Sequence, residues 1–130
     1  MLRSINAPGS AVPGVSQGVL VESGRPLYLS GHVPFDSSGH ICGFDHASQL
    51  DQVFRNIATT LESAGVGFEA MARLRIYVRD CKPALLEAIR SVRNRWIGRE
   101  HPTASTLIGV ASLFHPDVLV EADAIAVVPG

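Results

Sequence analysis

The chain has 130 residues, a net charge of −1 and 46% hydrophobic residues, the size of a single domain (1–130) that buries its own core without a metal or disulfide staple. Only 18% of its residues are charged, against about 25% in ordinary soluble domains, so part of the surface is expected to pack against another subunit. The balance excludes a disordered chain and supplies no global field for nucleic acid or an acidic membrane.

Ten of the 11 basic residues are Arg and one is Lys82, which favours planar, bidentate anion recognition. Cys42 and Cys81 form no CxxC motif and read as free thiols of a reducing cytosol. No apolar run approaches the roughly 18 residues of a membrane span. The first eight residues lack the continuous apolar stretch of a secretory signal. A cytoplasmic domain with no membrane partner is expected.

In chain order, the first 16 residues are rich in Gly, Pro, Ser and Ala and read as an irregular lead-in. Gln17 to Glu22, the turn Ser23-Gly24-Arg25 and Leu27 to Ser30 predict a β-hairpin. Gly31 to Asp45 reads as a loop. Asp45 is the expected N-cap of a helix whose stripe is Leu50, Val53, Phe54, Ile57, Leu61 and Ala64, stopped by Gly65. Leu74, Ile76 and Val78 alternate with Arg75, Tyr77 and Arg79, as in a strand. Asp80 is the expected cap of a second helix, with Pro83 in its first turn, a stripe of Leu85, Ile89, Val92 and Trp96, and Gly98 at its end. A turn at Glu100-His101-Pro102 leads to two strands, Ser105 to Leu113 and Val118 to Val128.

The order ββαβαββ makes both helices crossovers and predicts an α+β fold of two layers, one mixed sheet covered on one side by two helices. The other sheet face carries Arg75, Tyr77, Glu121 and Asp123. That mixture suits a subunit interface and points to a homo-oligomer. Glu121 and Asp123 share a face about 7 Å apart, either as a general base with its pKa raised by burial or as ion-pair partners of Arg75 or Arg79.

These segments together resemble the RidA/YjgF family, reactive-intermediate deaminases also called L-PSP endoribonucleases. The likeness is carried by Asn6-Ala7-Pro8, Ser16-Gln17-Gly18, Leu29-Ser30-Gly31-His32-Val33-Pro34 with Asp36, Gly39 and Gly43, and by Gln49, Gln52, Asn56, Leu61, Glu62, Ala64 and Gly65. Val78-Arg79-Asp80, Pro102, Gly109-Val110 and Val120 to Val127 extend it almost end to end. The resemblance implies a chorismate-mutase-like homotrimer with small-molecule sites in the clefts between subunits. It also implies hydrolysis of imines or enamines to a carbonyl compound and ammonia.

In deaminating members an Arg anchors the substrate carboxylate, and Ser105 stands at that position here. Leu107 replaces a Cys, Val15 falls near a Tyr, and Arg90 falls near an Asn of the family site. The acidic residue that activates water falls at Asp123. The resemblance therefore implies catalytic Asp123, with Ser30, Gly31, His32, Arg90, Ser105 and Thr106 binding substrate. A charge-assisted hydrogen bond is worth roughly 1.5–3 kcal/mol, and a neutral serine recovers only part of it. A substrate other than the standard 2-imino acid is expected unless Arg90 or Arg75 supplies the missing cation.

Other clusters have plainer readings. His32 is either a proton shuttle or a satisfied histidine. Asp36, His40, Cys42 and His46 match no zinc spacing, and no metal or other cofactor is expected. Arg90, Arg93, Arg95 and Arg99 read as a solvated helix face rather than an RNA footprint, since the total charge is near neutral. The expected function is a small-molecule hydrolase acting at an imine, enamine or related C–N centre. The alternatives are a non-catalytic trimer that binds a metabolite or partner, and an RNA-binding or endoribonuclease-like protein.

Overall fold

The structure, a computed structural model, describes residues 1–9, 12–98 and 103–130. The expected turn at Glu100-His101-Pro102, the Pro102 of the resemblance, and Arg99 lie outside the described residues. The strands are β1 (Leu2–Ile5), β2 (Val15–Ser16), β3 (Gly18–Val21), β4 (Arg25–His32), β5 (Met71–Arg79), β6 (Thr103–Val110) and β7 (Val120–Val128). The helices are α1 (His46–Ser63) and α2 (Leu86–Trp96). A five-stranded sheet runs in the order β2-β6-β5-β7-β4, and β1 pairs with β3 in a separate two-stranded sheet. β5 is parallel to β6 and antiparallel to β7, and β7 is antiparallel to β4, so the main sheet is mixed as expected.

α1 forms where its stripe predicts. The Asp45 carboxylate accepts from Ser48 N at 2.7 Å, satisfying one of the free N–H groups of the first turn, and Gly65 N closes the far end on Glu62 O. Leu50, Val53, Phe54, Ile57 and Leu61 are fully buried, each contributing about 1.5–3 kcal/mol of apolar burial. They pack with Leu74, Ile76 and Val78 of β5 and with Ala122, Ala124 and Ala126 of β7. The alanines keep that face of β7 shallow, so the bulky side chains of α1 fill the space above it. Both helices contribute to this one core, giving the two-layer α+β architecture.

Three expectations are corrected. The hairpin of residues 17–30 does not form: β3 pairs with β1, and β4 pairs with β7, a hundred residues away in sequence. The chain passes between the two sheets at Gly24, where φ is +108° and a Cβ would lie 2.5 Å from Val127 Cγ1, so the turn chemistry serves a crossing rather than a hairpin. The lead-in is not irregular throughout, because β1 and β2 both take partners, β2 joining β6 in parallel. Asp80 does not cap α2: it has φ +52°, and a 3₁₀ turn at Pro83–Leu85, with Lys82 at its cap position, leads into the helix. Pro83 does sit at the start of that turn, where its missing N–H costs nothing. Among the described residues, no helix is long and apolar enough to cross a membrane.

Candidate functional site

The sheet register sorts the expected site residues onto two faces. Leu74 pairs with Ser105 and Arg75 with Thr106, so Ser105 shares the helix side with buried Leu74. Thr106 lies on the outer face with Arg75, Tyr77, Glu121 and Asp123, since Arg75 pairs with Asp123 and Tyr77 with Glu121. Ser105 and Asp123 are therefore on opposite sides of one sheet and do not meet within a chain.

On the outer face, Asp123 is held on three bonds. Arg75 donates to it from Nε at 2.8 Å and from Nη2 at 3.0 Å, and Tyr77 Oη donates at 3.0 Å. The hydrogen bond and charge of Asp123 hold the Arg75 guanidinium more firmly protonated than usual. Burial, followed by the bond to Asp123, pushes the Tyr77 phenol up. Arg75 is committed here, on the face away from Ser105, and is not the replacement cation for that position.

Glu121, two residues earlier, is in a different state. Among the described residues no cation pairs with it, and burial first, then the neighbouring Asp123 charge, raises its carboxyl pKa. It packs against Gly31 so closely that a Cβ there would lie 2.9 Å from Glu121 Cδ. Ser30, Gly31, Arg75 and Asp123 line a groove of about 400 Å³ on this face. Glu121 thus rests against the Gly31 backbone of β4 with its pKa raised. Within one chain Arg75 pairs with Asp123 rather than Glu121.

His32 turns to the other side. Its Nδ1 lies 2.7 Å from Ser30 O and its Nε2 2.7 Å from Thr60 Oγ1. A carbonyl only accepts, so Nδ1 carries the proton and the ring ties the end of β4 to α1. The loop beyond is pinned by Asn56, whose Nδ2 donates to Val33 O and Phe35 O at 2.8 Å each, while Gln52 donates to Asn56 Oδ1 at 2.9 Å. These helix residues, singled out by the resemblance, fix the segment that follows β4.

A second groove, of about 230 Å³, opens on the helix side between the β2 and β6 edge and α2. Val15, Arg90, Ser105 and Leu107 all line it, so the four positions matched separately to the family site come together here. Arg90 is exposed at its margin. The groove also holds Arg93, which is only 6% exposed and so does not belong to a solvated helix face. The helical period carried the signal: Arg93 stands four residues after Ile89, inside the apolar stripe. Arg95 does lie outward, 3.7 Å from Asp51.

Of the cluster near Cys42, Asp36 keeps Cys42 (Sγ–Oδ2 3.8 Å) and His40 (Nδ1–Oδ1 3.9 Å), and only His46 leaves it. Asp36 accepts from Ser38 N and His40 N, which, with the His40 bond first, lowers its pKa, and His46 Nε2 bonds Arg79 O at 2.7 Å. Cys42 and Cys81 are free thiols. Among the described residues, no three His, Cys, Asp or Glu side chains gather as metal ligands.

Comparison with known proteins places this geometry. Residues 4–128 match the family described as Endoribonuclease L-PSP. A RutC family protein of Pyrococcus horikoshii is 31% identical over 93% of this chain and 91% of its own length. The crystal structure of the Rid family protein YyfB of Yersinia pestis, described as of unknown function, superposes with a TM-score of 0.89 at 34% identity, covering 98% of each chain. RidA of an Antarctic Psychrobacter, 24% identical over 92% of each chain, shares the fold with a TM-score of 0.72. Matched over nearly its whole length, with its grooves lined by the residues that carry the likeness, the chain belongs to the RidA/YjgF family of L-PSP endoribonuclease-like proteins.

Proposed function

We propose that this protein hydrolyses a small imine or enamine, with Glu121 moving the proton and the Ser30–Gly31 end of β4 orienting substrate, at sites shared between copies of a homotrimer. The observation that carries the reading is the contrast between two carboxylates on one face. Asp123, expected from the resemblance to activate water, is held by Arg75 and Tyr77, whereas Glu121, beside Gly31, has no ion-pair partner among the described residues and has its pKa raised by burial.

In this mechanism ionised Glu121 takes a proton from water as the oxygen attacks the imine carbon. The carboxyl returns that proton to nitrogen to give a carbinolamine, then takes the hydroxyl proton and passes it to nitrogen as the C–N bond breaks, so that a carbonyl compound and ammonia leave. Asp123 is a positioning residue that fixes Arg75 and Tyr77 around the groove. No cofactor takes part in these steps.

The test generates imines from a panel of amino acids with an amino-acid oxidase and catalase, and lets semicarbazide compete for them. The wild type is expected to suppress semicarbazone formation, and Glu121→Gln to lose about 10²- to 10⁴-fold of that activity, the usual worth of a general base. Full activity in Glu121→Gln removes Glu121 from the mechanism. No suppression across the panel ends the hydrolase reading in favour of a binding role.

A further inference from the structure

The outer sheet face continues past Glu121. Arg75 lies opposite Asp123 and Tyr77 opposite Glu121, and one step further Arg79 N donates to Leu119 O. Val118 and Val120 are buried between Leu119 and Glu121, which both turn outward, so Leu119 stands about 7 Å from Glu121 along the strand. A cavity of about 430 Å³ opens there, lined by Ile41, Phe44, Arg79, Asp117 and Leu119 among others, within the size range of small-ligand clefts. Glu121 thus stands between two hollows, this one and the groove at Ser30 and Gly31.

The shape of the cavity is fixed. Gln49 ties its two sides together, donating to Gly43 O and Asp117 O and accepting from Leu119 N. At Gly43 φ is +96° and a Cβ would lie 2.6 Å from Ser48 Cβ, so the turn into the Asp45 cap needs glycine. That turn leaves Phe44 fully exposed on the rim, where its ring forgoes the gain of burial.

The charges select a neutral occupant. Arg79 Nη1 donates to Pro116 O, and its Nε lies 3.7 Å from Asp80 Oδ2, so the guanidinium is already answered. An acidic group entering the cavity meets Asp117, and a basic one meets Arg79. What remains on offer is the ring of Phe44 and the flat guanidinium of Arg79, both of which attract an aromatic ring, with Ile41 and Leu119 as apolar walls.

We infer that this cavity is the side-chain pocket of the site and takes an uncharged aromatic ring, so that the preferred substrates are imines bearing an arylmethyl group. The inference rests on the reading above, which puts the reacting carbon at Glu121, and adds the substrate class to it.

The experiment runs the semicarbazide competition with imines from phenylalanine, leucine and alanine. In parallel it measures calorimetric binding of 3-phenyl-2-oxopropanoate and 2-oxopropanoate to the assembled protein. Phe44→Ala and Phe44→Leu are compared with the wild type, with melting temperature and native mass recorded for each. One methylene in an apolar pocket is worth roughly 10- to 200-fold. The wild type is accordingly expected to favour the phenylalanine imine over the alanine imine by about 100-fold in kcat/KM, with leucine between them, and to bind the phenyl acid the more tightly. Phe44→Ala is expected to cut both ratios by about 10-fold, and Phe44→Leu, which keeps an apolar contact without the ring, by less. Because Phe44 is fully exposed, both variants are expected to melt with the wild type.

Ratios unchanged in Phe44→Ala, or a wild type with no preference for the ring, overturn the inference. A lower melting temperature or an altered native mass in Phe44→Ala also overturns it, by showing that the ring serves the fold or a contact between copies. Binding of the phenyl acid that depends on Phe44 without imine turnover leaves the pocket standing and ends the hydrolase reading. Turnover of all three imines at similar rates does the reverse, and absence of both binding and turnover ends both.

Discussion

Gly31 and Glu121 form the tightest functional contact in the chain, and each is tested by one atom's change. A methyl group at Gly31 falls on the Glu121 carboxylate, which must then swing away. Misplacing a reacting group by about 1 Å can cost on the order of 10²-fold in rate. Gly31→Ala is therefore expected to lower turnover in the semicarbazide assay by about 10- to 100-fold while the far-UV spectrum stays native. Glu121 also leaves a signature in stability. Its pKa is raised in the folded chain, so folding favours its protonated form. That imposes no penalty below the ordinary Glu pKa of about 4.3, a growing one as pH rises towards the folded value, and a constant one above it. Glu121→Gln is expected to be more stable than the wild type at pH 7, with the difference fading below about pH 4, as read by urea denaturation at both pH values. The sequence alone placed Glu121 and Asp123 on one face but not their division of labour. Parity locates both carboxylates, whereas the register of β5 against β7 decides which one meets Arg75.

At the scale of the element, α1 does more than cover the sheet. Gln49 is buried within it, donating to Asp117 O at 2.9 Å and Gly43 O at 3.2 Å and accepting from Leu119 N at 2.7 Å. One side chain thus joins the loop before the helix to the segment entering β7. Gln49→Leu keeps the volume but leaves three backbone groups without this partner, and is expected to cost about 2–4 kcal/mol, measured as a fall in ΔG of unfolding. Gln52→Ala, which loses a single half-buried bond, is expected to cost about 1 kcal/mol. α1 was legible from sequence because its signals are local: the Asp45 cap, the 3.6-residue stripe and the stop at Gly65. The pairings of β2 and β4 were not, because their partners β6 and β7 lie far along the chain. The run from Gln17 to Ser30 looks like a hairpin until β7 takes β4. Arg93 was hidden for another reason. Arginines on a helix usually face water, and its place in the apolar stripe outweighs that habit only once the fold sets α2 beside Ser105 of β6.

The whole molecule carries a problem that a single copy does not solve. Ser30, Gly31 and Glu121 lie on the outer face of the sheet, whereas Ser105 and Arg93 line the groove on the helix side. The outer face also leaves Tyr28 74% exposed, in a chain whose charged fraction is only 18%. In the trimer proposed above, the outer face of one copy is set against the groove edge of the next, which is how the two half-sites are proposed to share one ligand. Closed around a three-fold axis, the same contact repeats without leaving an open end. Light scattering is accordingly expected to give three times the chain mass of 13.9 kDa. Tyr28→Asp, which places a charge on the covered face, is expected to shift the protein towards monomer and abolish turnover together. A sharper test follows from the division of the site. Glu121→Gln and the groove-filling Ser105→Trp are each expected to be nearly inactive, but in a trimer mixed from both, some clefts receive Glu121 from one copy and Ser105 from another. Random equal mixing after unfolding and refolding leaves about a quarter of such shared clefts intact, so about a quarter of wild-type activity is expected to return. A site built within one chain would recover nothing, because every copy in the mixture lacks one of the two residues.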